Sequence, residues 1–391
     1  MNVREQSLKK HAEWKGKIET VCRVPADSAQ ALSLAYTPGV AEPCMAIHND
    51  VEKSFDLTRR WNTVPVITDG TAVLGLGDIG PEAGMPVMEG KCALFKAYGD
   101  VDAYPLCIRS KDTEEIIKTV KLLAGSFGGV NLEDISAPRC FEIETRLKAE
   151  LDIPVFHDDQ HGTAIVMTAA LINALKLAGK DKSEIRLVIN GAGAAGIAIA
   201  KFLLDFGVKN ITVCDKNGII CEGEQWLNAP QSQLARITNL THMRGALADA
   251  MRGADVLIGV SGPHCITKDM AGSMAKKAIL FTCANPVPEI EPQDAKAAGA
   301  FIIGTGSSAN PNQINNVLVF PGLFRGALDA RATTINREMM LAAAYGIAEC
   351  VTAQQLSPDY ILPYAYDKSA HQSVARAVYK AAIATGVSKL R

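Results

Sequence analysis

Two pairs of adjacent acidic residues, Glu133–Asp134 and Asp158–Asp159, are the strongest concentration of reactive groups in the sequence. The first pair lies in the segment GVNLEDI and the second in VFHDDQHGTA. Each follows a short apolar run that is typical of a buried strand, and ligands gather at the carboxyl ends of parallel strands. Glu133, Asp134 and Asp159 would together offer a half-shell of oxygen ligands. Such a set suits Mg²⁺ or Mn²⁺ and leaves coordination positions for substrate oxygens.

A structural interpretation of the same residues stays open. Adjacent acids are common at turns and at helix N-termini, so Asp158 or Asp159 could cap the helix that follows. His157 and His161 flank this pair. A single histidine is more often a hydrogen-bonded polar residue than a ligand, and neither is assigned to a metal. No cysteine and histidine spacing favours zinc.

Two residues elsewhere could supply acid–base chemistry to such a site. Lys91 ends the glycine-rich segment GLGDIGPEAGMPVMEGK, and a lysine in a low-dielectric site near a cation has a depressed pKa and can act as a base. Tyr36 lies in the turn sequence AYTPGV and can donate its phenolic proton. Considered alone, Lys91 would be a surface lysine and Tyr36 a half-buried tyrosine.

A dinucleotide-binding turn is predicted at the sequence GAGAAG, where Gly191, Gly193 and Gly196 match the pattern G-x-G-x-x-G. The first glycine would make the tight turn, the second would let the backbone approach a pyrophosphate, and the third would allow close packing of helix on sheet. Ala194 and Ala195 would begin the helix, whose free N–H groups favour an anion. A chance match in an alanine-rich core helix is the alternative.

The context of this turn favours cofactor binding. A predicted strand, Ile185–Asn190, precedes it, and a predicted helix, Ala194–Phe206, follows. A second predicted strand ends at Asp215, close to the expected interval after the first glycine. A carboxylate there can accept hydrogen bonds from ribose hydroxyls and would repel a 2′-phosphate, which favours NAD. The neighbouring Lys216 could attract that phosphate, so NADP stays open.

Composition excludes several other classes of protein. The 391 residues carry a net charge of −2, which leaves no electrostatic footprint for nucleic acid or an anionic membrane surface. No segment reads as a membrane helix, and the charged N-terminus lacks the apolar core of a secretory signal. Ten scattered cysteines without a CxxC pair indicate reduced thiols and a cytoplasmic protein.

The order of the predicted elements indicates an α/β protein. Strands alternate with helices from the buried helix near residue 163 onward, which predicts a doubly wound parallel sheet of the Rossmann type. Upstream, strands are expected at 64–74, 101–108 and 129–135, with helices over 113–123 and from Cys92. The glycine-rich segment before Cys92 is expected to be a loop, and the chain after 325 to be helical.

Taken together, the motifs resemble the short bacterial-type malic enzymes over most of the chain. The most specific feature is the combination of the motifs LEDI and FHDDQHGTA, whereas the glycine pattern occurs in many dinucleotide-binding proteins. The stretches that carry the resemblance are AYTPGV (35–40), TAVLGLGDIG (71–80), PVMEGKCALF (86–95), GGVNLEDI (128–135), IPVFHDDQHGTA (153–164), INGAGAAGIA (189–198), CANPVPE (283–289) and NQINNVLVFPG (312–322).

The resemblance implies a role for each matching residue. It makes Lys91 the general base, Tyr36 the general acid and Asp158 a partner of Lys91. The metal ligands would be Glu133, Asp134 and Asp159, the dinucleotide would be bound by the turn from Gly191 to Gly196 with Asn285, and the substrate would be contacted by Asn285, Asn315 and Asn316. The larger eukaryotic-type members carry a carboxylate-binding arginine where this chain has Ala72, so carboxylate recognition must differ here.

The implied reaction is the oxidative decarboxylation of L-malate to pyruvate and CO₂, with reduction of NAD(P) and dependence on Mg²⁺ or Mn²⁺. A malolactic-type enzyme, which converts malate to lactate with bound NAD, would use the same groups. A non-catalytic dinucleotide sensor is a third hypothesis, which the intact set of candidate catalytic residues disfavours.

The resemblance also implies a two-part organisation. Residues 1–159 with 316–391 would form the catalytic domain, completed by the C-terminal helices, and residues 160–315 the dinucleotide-binding domain. The active site would lie in the cleft between them. Members of the family are usually homodimers or larger, and a homodimer or higher homo-oligomer is expected here.

Overall fold

A four-stranded parallel sheet forms in the first part of the chain, in the computed structural model that describes residues 2–73 and 75–390. Its strand order is β2-β1-β3-β4, with β1 (Thr63–Thr68), β2 (Asp102–Cys107), β3 (Val130–Leu132) and β4 (Val155–His157). The residues of β1, β3 and β4 are all buried. A parallel sheet covered on both faces selects apolar runs of this kind.

A six-stranded sheet follows, in the order β10-β9-β8-β5-β6-β7. Its strands are β5 (Arg186–Asn190), β6 (Asn210–Asp215), β7 (Gly218–Ile219), β8 (Val256–Gly259), β9 (Ile279–Thr282) and β10 (Ile302–Thr305). All neighbours are parallel except the short edge strand β7, which pairs antiparallel with β6. The order runs outward in both directions from β5, so this is the doubly wound sheet that the sequence predicted, and the α/β class is confirmed.

Helices surround both sheets. Those in the described residues are α1 (Val3–Trp14), α2 (Ala29–Ala35), α3 (Ala41–Asn49), α4 (Ser54–Leu57), α5 (Pro81–Gly99), α6 (Thr113–Leu123), α7 (Arg139–Glu150), α8 (Asp158–Ala178), α9 (Ala194–Phe206), α10 (Ala229–Ala235), α11 (Leu247–Met251), α12 (Lys268–Gly272), α13 (Pro292–Ala297), α14 (Phe320–Asp329), α15 (Arg337–Ala348) and α16 (Lys368–Ala384). The predicted bounds of α6 and α9 agree with the structure.

The long helix α8 connects the two sheets through the core. It packs against α9 and α15, and most of its residues are buried. It ends at Gly179, which adopts the left-handed conformation and donates its N–H to the Leu175 carbonyl. By length and composition α8 could cross a membrane, but 78% of its most apolar window is buried inside the protein, as in the core helix of a globular protein.

Helix α5 corrects the sequence prediction. The segment before Cys92 was expected to be a loop, but the helix begins at Pro81. Pro81 suits the first turn, where its missing N–H would have no partner, and Pro86 follows within the next turn. Burial of Gly84 and Met88 against the core outweighs the weak helix propensity of the segment. Lys91 therefore projects from a rigid helix and not from a loop.

The C-terminal helices close the core behind the acidic pair of α8. Helices α14 and α16 pack on each other and against α5, and α15 packs against α8. The rings of Phe95 in α5 and Phe320 in α14 lie 4.7 Å apart, and Phe156 in β4 meets Phe324 at 6.0 Å. This aromatic layer fixes α5 and β4 relative to each other and so fixes the residues that they carry.

Candidate active site

The predicted carboxylate cluster comes together where β3 and β4 end. Glu133 and Asp134 directly follow β3, and Asp159 lies in the first turn of α8 after β4. Because β3 and β4 are neighbours, their ends place the three side chains with one ligand oxygen of each within 4.8 Å of the others. The backbone N–H of Asp134, at a positive φ of 52°, donates to Asp159 Oδ2 at 2.7 Å.

The cluster has the chemistry of a divalent-cation site. All its donors are oxygens, which suits Mg²⁺ or Mn²⁺. Asp134 Oδ2 is buried without a hydrogen-bond partner, as expected of an atom that a cation would contact. Burial, and then the negative charges of Asp159 and Glu133, raise the pKa of Asp134. The same causes act on the others, so the site favours a positive ion.

The helix-capping interpretation does not describe the aspartates of α8. The N-cap residue is His157, which makes no side-chain cap hydrogen bond. Asp158 and Asp159 belong to the first helical turn and not to a strand-end loop, as the sequence had suggested for Asp159. The partially positive helix N-terminus favours negative charge at this position, which offsets part of the repulsion within the cluster.

Lys91 bridges two of the acids. Its ammonium donates to Glu133 Oε1 at 2.7 Å and also contacts Asp158, which is fully buried. Burial disfavours the charged lysine, but Asp158, Glu133 and Asp159 outweigh it and raise the pKa of Lys91. The carboxylates alone therefore raise this pKa, whereas the depressed pKa predicted from the sequence is that of a lysine beside a bound cation. A divalent cation beside these carboxylates would act in the opposite direction and lower the pKa of Lys91.

Three asparagines line the same cavity as Lys91. Asn316 Nδ2 donates to Asp158 Oδ2 at 2.5 Å, so Asp158 is held from both sides. Asn315 Oδ1 accepts from the backbone N–H of Val317 at 3.0 Å, which fixes the start of the turn before α14. Asn285 lies across the cavity, after β9, and its Nδ2 donates to the Cys283 carbonyl at 3.3 Å.

The cavity that these residues line lies between the two sheets and has a volume of about 860 Å³. One wall carries Lys91 and the three acids of the cluster. Another carries Ala194 and Ala195, the first residues of α9, together with Asn285. The predicted metal ligands and base thus face one space with Ala194, Ala195 and Asn285, and the space is large enough for a small substrate beside a cofactor. The residues that line it do not include the other predicted dinucleotide residues, Gly191, Gly193, Gly196 and Asp215.

The glycine turn before α9 has the geometry that dinucleotide binding requires. Gly191 has a φ of 122°, and a Cβ there would lie 2.5 Å from the Val260 carbonyl oxygen. A Cβ at Gly196 would lie 1.8 Å from the Gly191 oxygen, so helix and turn pack too closely for a side chain. At Gly193 no atom lies within 4 Å of the Cβ position, which leaves the backbone open to a ligand.

Asp215 ends β6 next to this turn and is held by a residue that sequence reasoning missed. Gln231 Nε2 donates to Asp215 Oδ2 at 2.5 Å and also reaches the Ala192 carbonyl at 3.3 Å. The backbone N–H of Lys216 donates to the other carboxylate oxygen. Gln231 lies in the first turn of α10, and nothing in its sequence surroundings signals the contact, because it depends on how α10 folds over β6.

Tyr36 is not brought to this cavity. It follows α2, its side chain is 72% exposed, and it does not line the space that contains Lys91. Neither α2 nor α3 contains a buried residue. Within the chain as described, the proposed acid and the proposed base are therefore separate.

A hydrogen-bond network that the sequence did not predict holds the loop after β3, which carries Glu133 and Asp134. Arg139 donates to Asp69 Oδ2 at 2.8 Å and to Thr71 Oγ1 at 2.9 Å. Thr71 Oγ1 accepts from the Ser136 N–H at 3.0 Å, and the Ala72 N–H donates to the Asp134 carbonyl at 2.9 Å. These bonds connect the loop after β1 to the loop after β3. They support the left-handed backbone at Asp134.

The two histidines have different surroundings. His161 Nε2 lies 2.8 Å from Glu144 Oε2, in a hydrogen bond outside the carboxylate cluster. His157 is fully buried, and burial lowers its pKa to about 4, so the ring is neutral at physiological pH. Its Nδ1 lies 3.8 Å from Asp159 Oδ2, and neither ring nitrogen has a hydrogen-bond partner.

Two family models cover most of the chain. The model described as "Malic enzyme, N-terminal domain" matches residues 15–111 and 108–148, and "Malic enzyme, NAD binding domain" matches residues 160–383. Glu133, Asp134 and the dinucleotide turn lie within these matches, and Asp159 directly precedes the second one. The chain belongs to the malic enzyme family, which confirms the resemblance seen in its motifs.

Individual malic enzymes are similar to this chain in sequence and in structure. A bifunctional malic/malolactic enzyme of Bacillus subtilis is 55% identical over 391 residues, which are 100% of this chain and 95% of that protein. An NAD-dependent malic enzyme of Geobacillus stearothermophilus is 52% identical over 100% of this chain and 81% of its own length. The crystal structure of malic enzyme from Pyrococcus horikoshii superimposes with a TM-score of 0.95 at 46% identity, covering 100% of this chain and 93% of that one.

Binding of Mn²⁺ should weaken as the pH falls from 8 to 6. The pKa values of Glu133, Asp134 and Asp159 are raised, so protons compete with the cation for the same oxygens in this range. The dissociation constant should rise about tenfold for each pH unit over which one ligand is protonated. Calorimetry at several pH values measures it, and a constant value from pH 8 to 6 would contradict the assignment.

Replacing Asp159 with asparagine should weaken Mn²⁺ binding strongly and leave NAD binding unchanged. Asparagine can still accept the Asp134 N–H through Oδ1, so the loop is retained while one ligand charge is lost. Asp269→Asn is the matched control, because Asp269 is also an acid in the first helical turn but is exposed. Unchanged Mn²⁺ binding in Asp159→Asn would refute the ligand role, whereas equal loss of metal and dinucleotide binding would indicate misfolding.

Proposed function

We propose that this protein catalyses the oxidative decarboxylation of L-malate to pyruvate and CO₂ with reduction of NAD(P). The observation that carries the proposal is the position of Lys91. Lys91 lines a cavity that is also lined by the three-carboxylate cluster and by the first residues of α9, the helix of the dinucleotide turn. A base, a metal site and a hydride acceptor within one space are what this reaction requires.

Lys91 is the proposed general base. Its Nζ would take the proton of the C2 hydroxyl group, and Asp158 and Asn316 would hold Lys91 in the orientation for that transfer. Bound NAD(P) supplies the acceptor for the C2 hydride. A divalent cation held by Glu133, Asp134 and Asp159 supplies polarisation of the substrate oxygens. Asn285 and Asn315 line the space where substrate and nicotinamide would meet and are proposed to orient them.

NAD is the proposed cofactor. Asp215 is fixed by Gln231 and by the Lys216 N–H at the position where a ribose would lie. A carboxylate held there accepts hydrogen bonds from ribose hydroxyls and repels a 2′-phosphate. The NAD-dependent name of the Geobacillus relative supports this choice.

A malolactic reaction is the second candidate. The relative from Bacillus subtilis is named a bifunctional malic/malolactic enzyme and is similar over the full length of this chain. The same base, metal ligands and dinucleotide turn would serve, but the reduced cofactor would stay bound and return its hydride, so that lactate is the product.

Purified protein with L-malate and Mn²⁺ should form NADH and pyruvate in equal amounts, faster with NAD than with NADP. Absorbance at the nicotinamide band and enzymatic assay of pyruvate measure the two products. A chelator should abolish turnover, because three carboxylates without their cation repel the substrate dianion. Malate consumption with lactate and no net NADH would favour the malolactic reaction, and absence of turnover with both cofactors would refute both enzymatic proposals.

We also propose a homodimer in which Tyr36 of one subunit enters the cavity of the other. Tyr36 is exposed and lies outside the cavity of its own chain, although the reaction needs an acid to protonate C3 after CO₂ is lost. Large apolar side chains are exposed in the same N-terminal region: Val21, Val24, Leu32, Leu34, Met45 and Val51. Exposed apolar side chains in the segment that carries the proposed acid support a subunit interface there.

Mixing two inactive variants tests this arrangement. Tyr36→Phe and Lys91→Ala should each be nearly inactive, but their mixed dimer contains one site with both native groups. If subunits exchange at random, half of the dimers are mixed and half of their sites are intact, so about one quarter of the native activity should return. Tyr36→Phe mixed with the double variant Tyr36→Phe/Lys91→Ala is the control. No recovery in a verified mixed dimer would place acid and base in one chain.

A further inference from the structure

A lysine from the N-terminal segment lies at the wall of the active-site cavity. Helix α1 ends with Lys15 at a φ of 52°, and Gly16 follows at a φ of 124°. Two successive left-handed residues turn the chain back toward α5, and the partly buried Ile18 packs against the core. Lys17 lies between Gly16 and Ile18, and its ammonium donates a hydrogen bond to the Pro86 carbonyl oxygen at 2.7 Å.

The face of α5 below this ammonium is the one that carries Lys91. Pro86, Gly90 and Leu94 lie one turn apart and line the cavity together with Lys91. Lys17 Nζ lies 3.5 Å from the position that a Cβ of Gly90 would take. A Cβ at Gly90 would be in ordinary van der Waals contact with the ammonium, so Lys17 Nζ lies directly beside the α5 backbone that carries Lys91. Lys17 and Lys91 are thus neighbouring cations on one wall.

The two lysines differ in their charge partners. Lys91 is paired with Glu133 and Asp158. Among the described residues, Lys17 has no carboxylate within ion-pair distance, and its known acceptor is a neutral carbonyl. An ammonium has three donors, so Lys17 retains donors for an anion in the cavity. Ala72, whose side chain carries no charge, lines the same cavity.

We propose that the substrate has two carboxylates, of which the metal cluster holds one and Lys17 binds the other. Lys17 would thereby select dicarboxylates. This assignment rests on the proposed function, because it concerns the substrate of that site. The carboxylate in question is the one lost as CO₂. That carboxylate keeps its charge while the C2 hydride is transferred, so the ion pair stabilises the bound substrate and the transition state of hydride transfer equally. Loss of Lys17 should therefore raise KM and change kcat little.

Steady-state kinetics of Lys17→Met tests the assignment. The KM for L-malate should rise roughly 10- to 100-fold, the range expected for a lost charge-assisted hydrogen bond, with kcat changed less than about threefold. The KM for NAD should not change. Lys17→Arg should restore most of the affinity, because it retains the charge. Lys9→Met is the matched control, since Lys9 is an exposed lysine of α1 that does not line the cavity.

A pair of ligands separates carboxylate recognition from a structural role. Hydroxymalonate has two carboxylates, and glycolate is the same molecule without one of them. Calorimetry with Mn²⁺ and NAD present, which needs no turnover, should show weaker hydroxymalonate binding in Lys17→Met and unchanged glycolate binding. Equal effects on both ligands, or none on either, would overturn the proposal. Malate turnover by the native protein reports separately on the proposed function.

Discussion

The main physical constraint on this structure is the repulsion among four carboxylates that lie close together. Glu133, Asp134, Asp158 and Asp159 lie at the ends of two adjacent strands. Among the residues that the structure describes, the ammonium that pairs with this group is that of Lys91, which contacts Glu133 and Asp158. Burial and mutual repulsion raise the pKa of each acid. Such an arrangement is unfavourable unless another positive charge joins it. A divalent cation would meet that requirement.

The surrounding fold can be understood as the means of holding these charges together. Neighbouring β3 and β4 bring two separate acidic pairs side by side, and α8 places its positive N-terminus under one of them. Arg139 connects the loops after β1 and β3, and the aromatic layer between α5 and α14 positions Lys91. Rigid elements on every side keep like charges close, which loops alone could not do.

Much of this arrangement was predictable from the sequence because its signals are local. The glycine turn with its flanking strand and α9 follows from hydrophobic runs and a spacing rule, and the two acidic pairs follow strand-like runs. The prediction failed where packing overrides propensity. Helix α5 begins at Pro81 despite its prolines and glycines, since burial of one face stabilises it.

Other features depend on contacts between distant segments and had no local signal. Lys17 meets Pro86 across 69 residues, and Gln231 meets Asp215 only because α10 folds over β6. The raised pKa of Lys91 likewise reflects three acids from two other segments of the chain. Tyr36 was recognised by its motif, but a motif does not say which cavity the residue enters.

The central claim is that the charge balance at the cluster sets the protonation of Lys91. The most direct test is an NMR titration of Lys91 in protein labelled with ¹⁵N-lysine, with and without saturating Mg²⁺, the signal being assigned by its loss in Lys91→Arg. Mg²⁺ should lower the pKa of Lys91, because it brings positive charge to Glu133, Asp134 and Asp159. The same pKa in both titrations would contradict it.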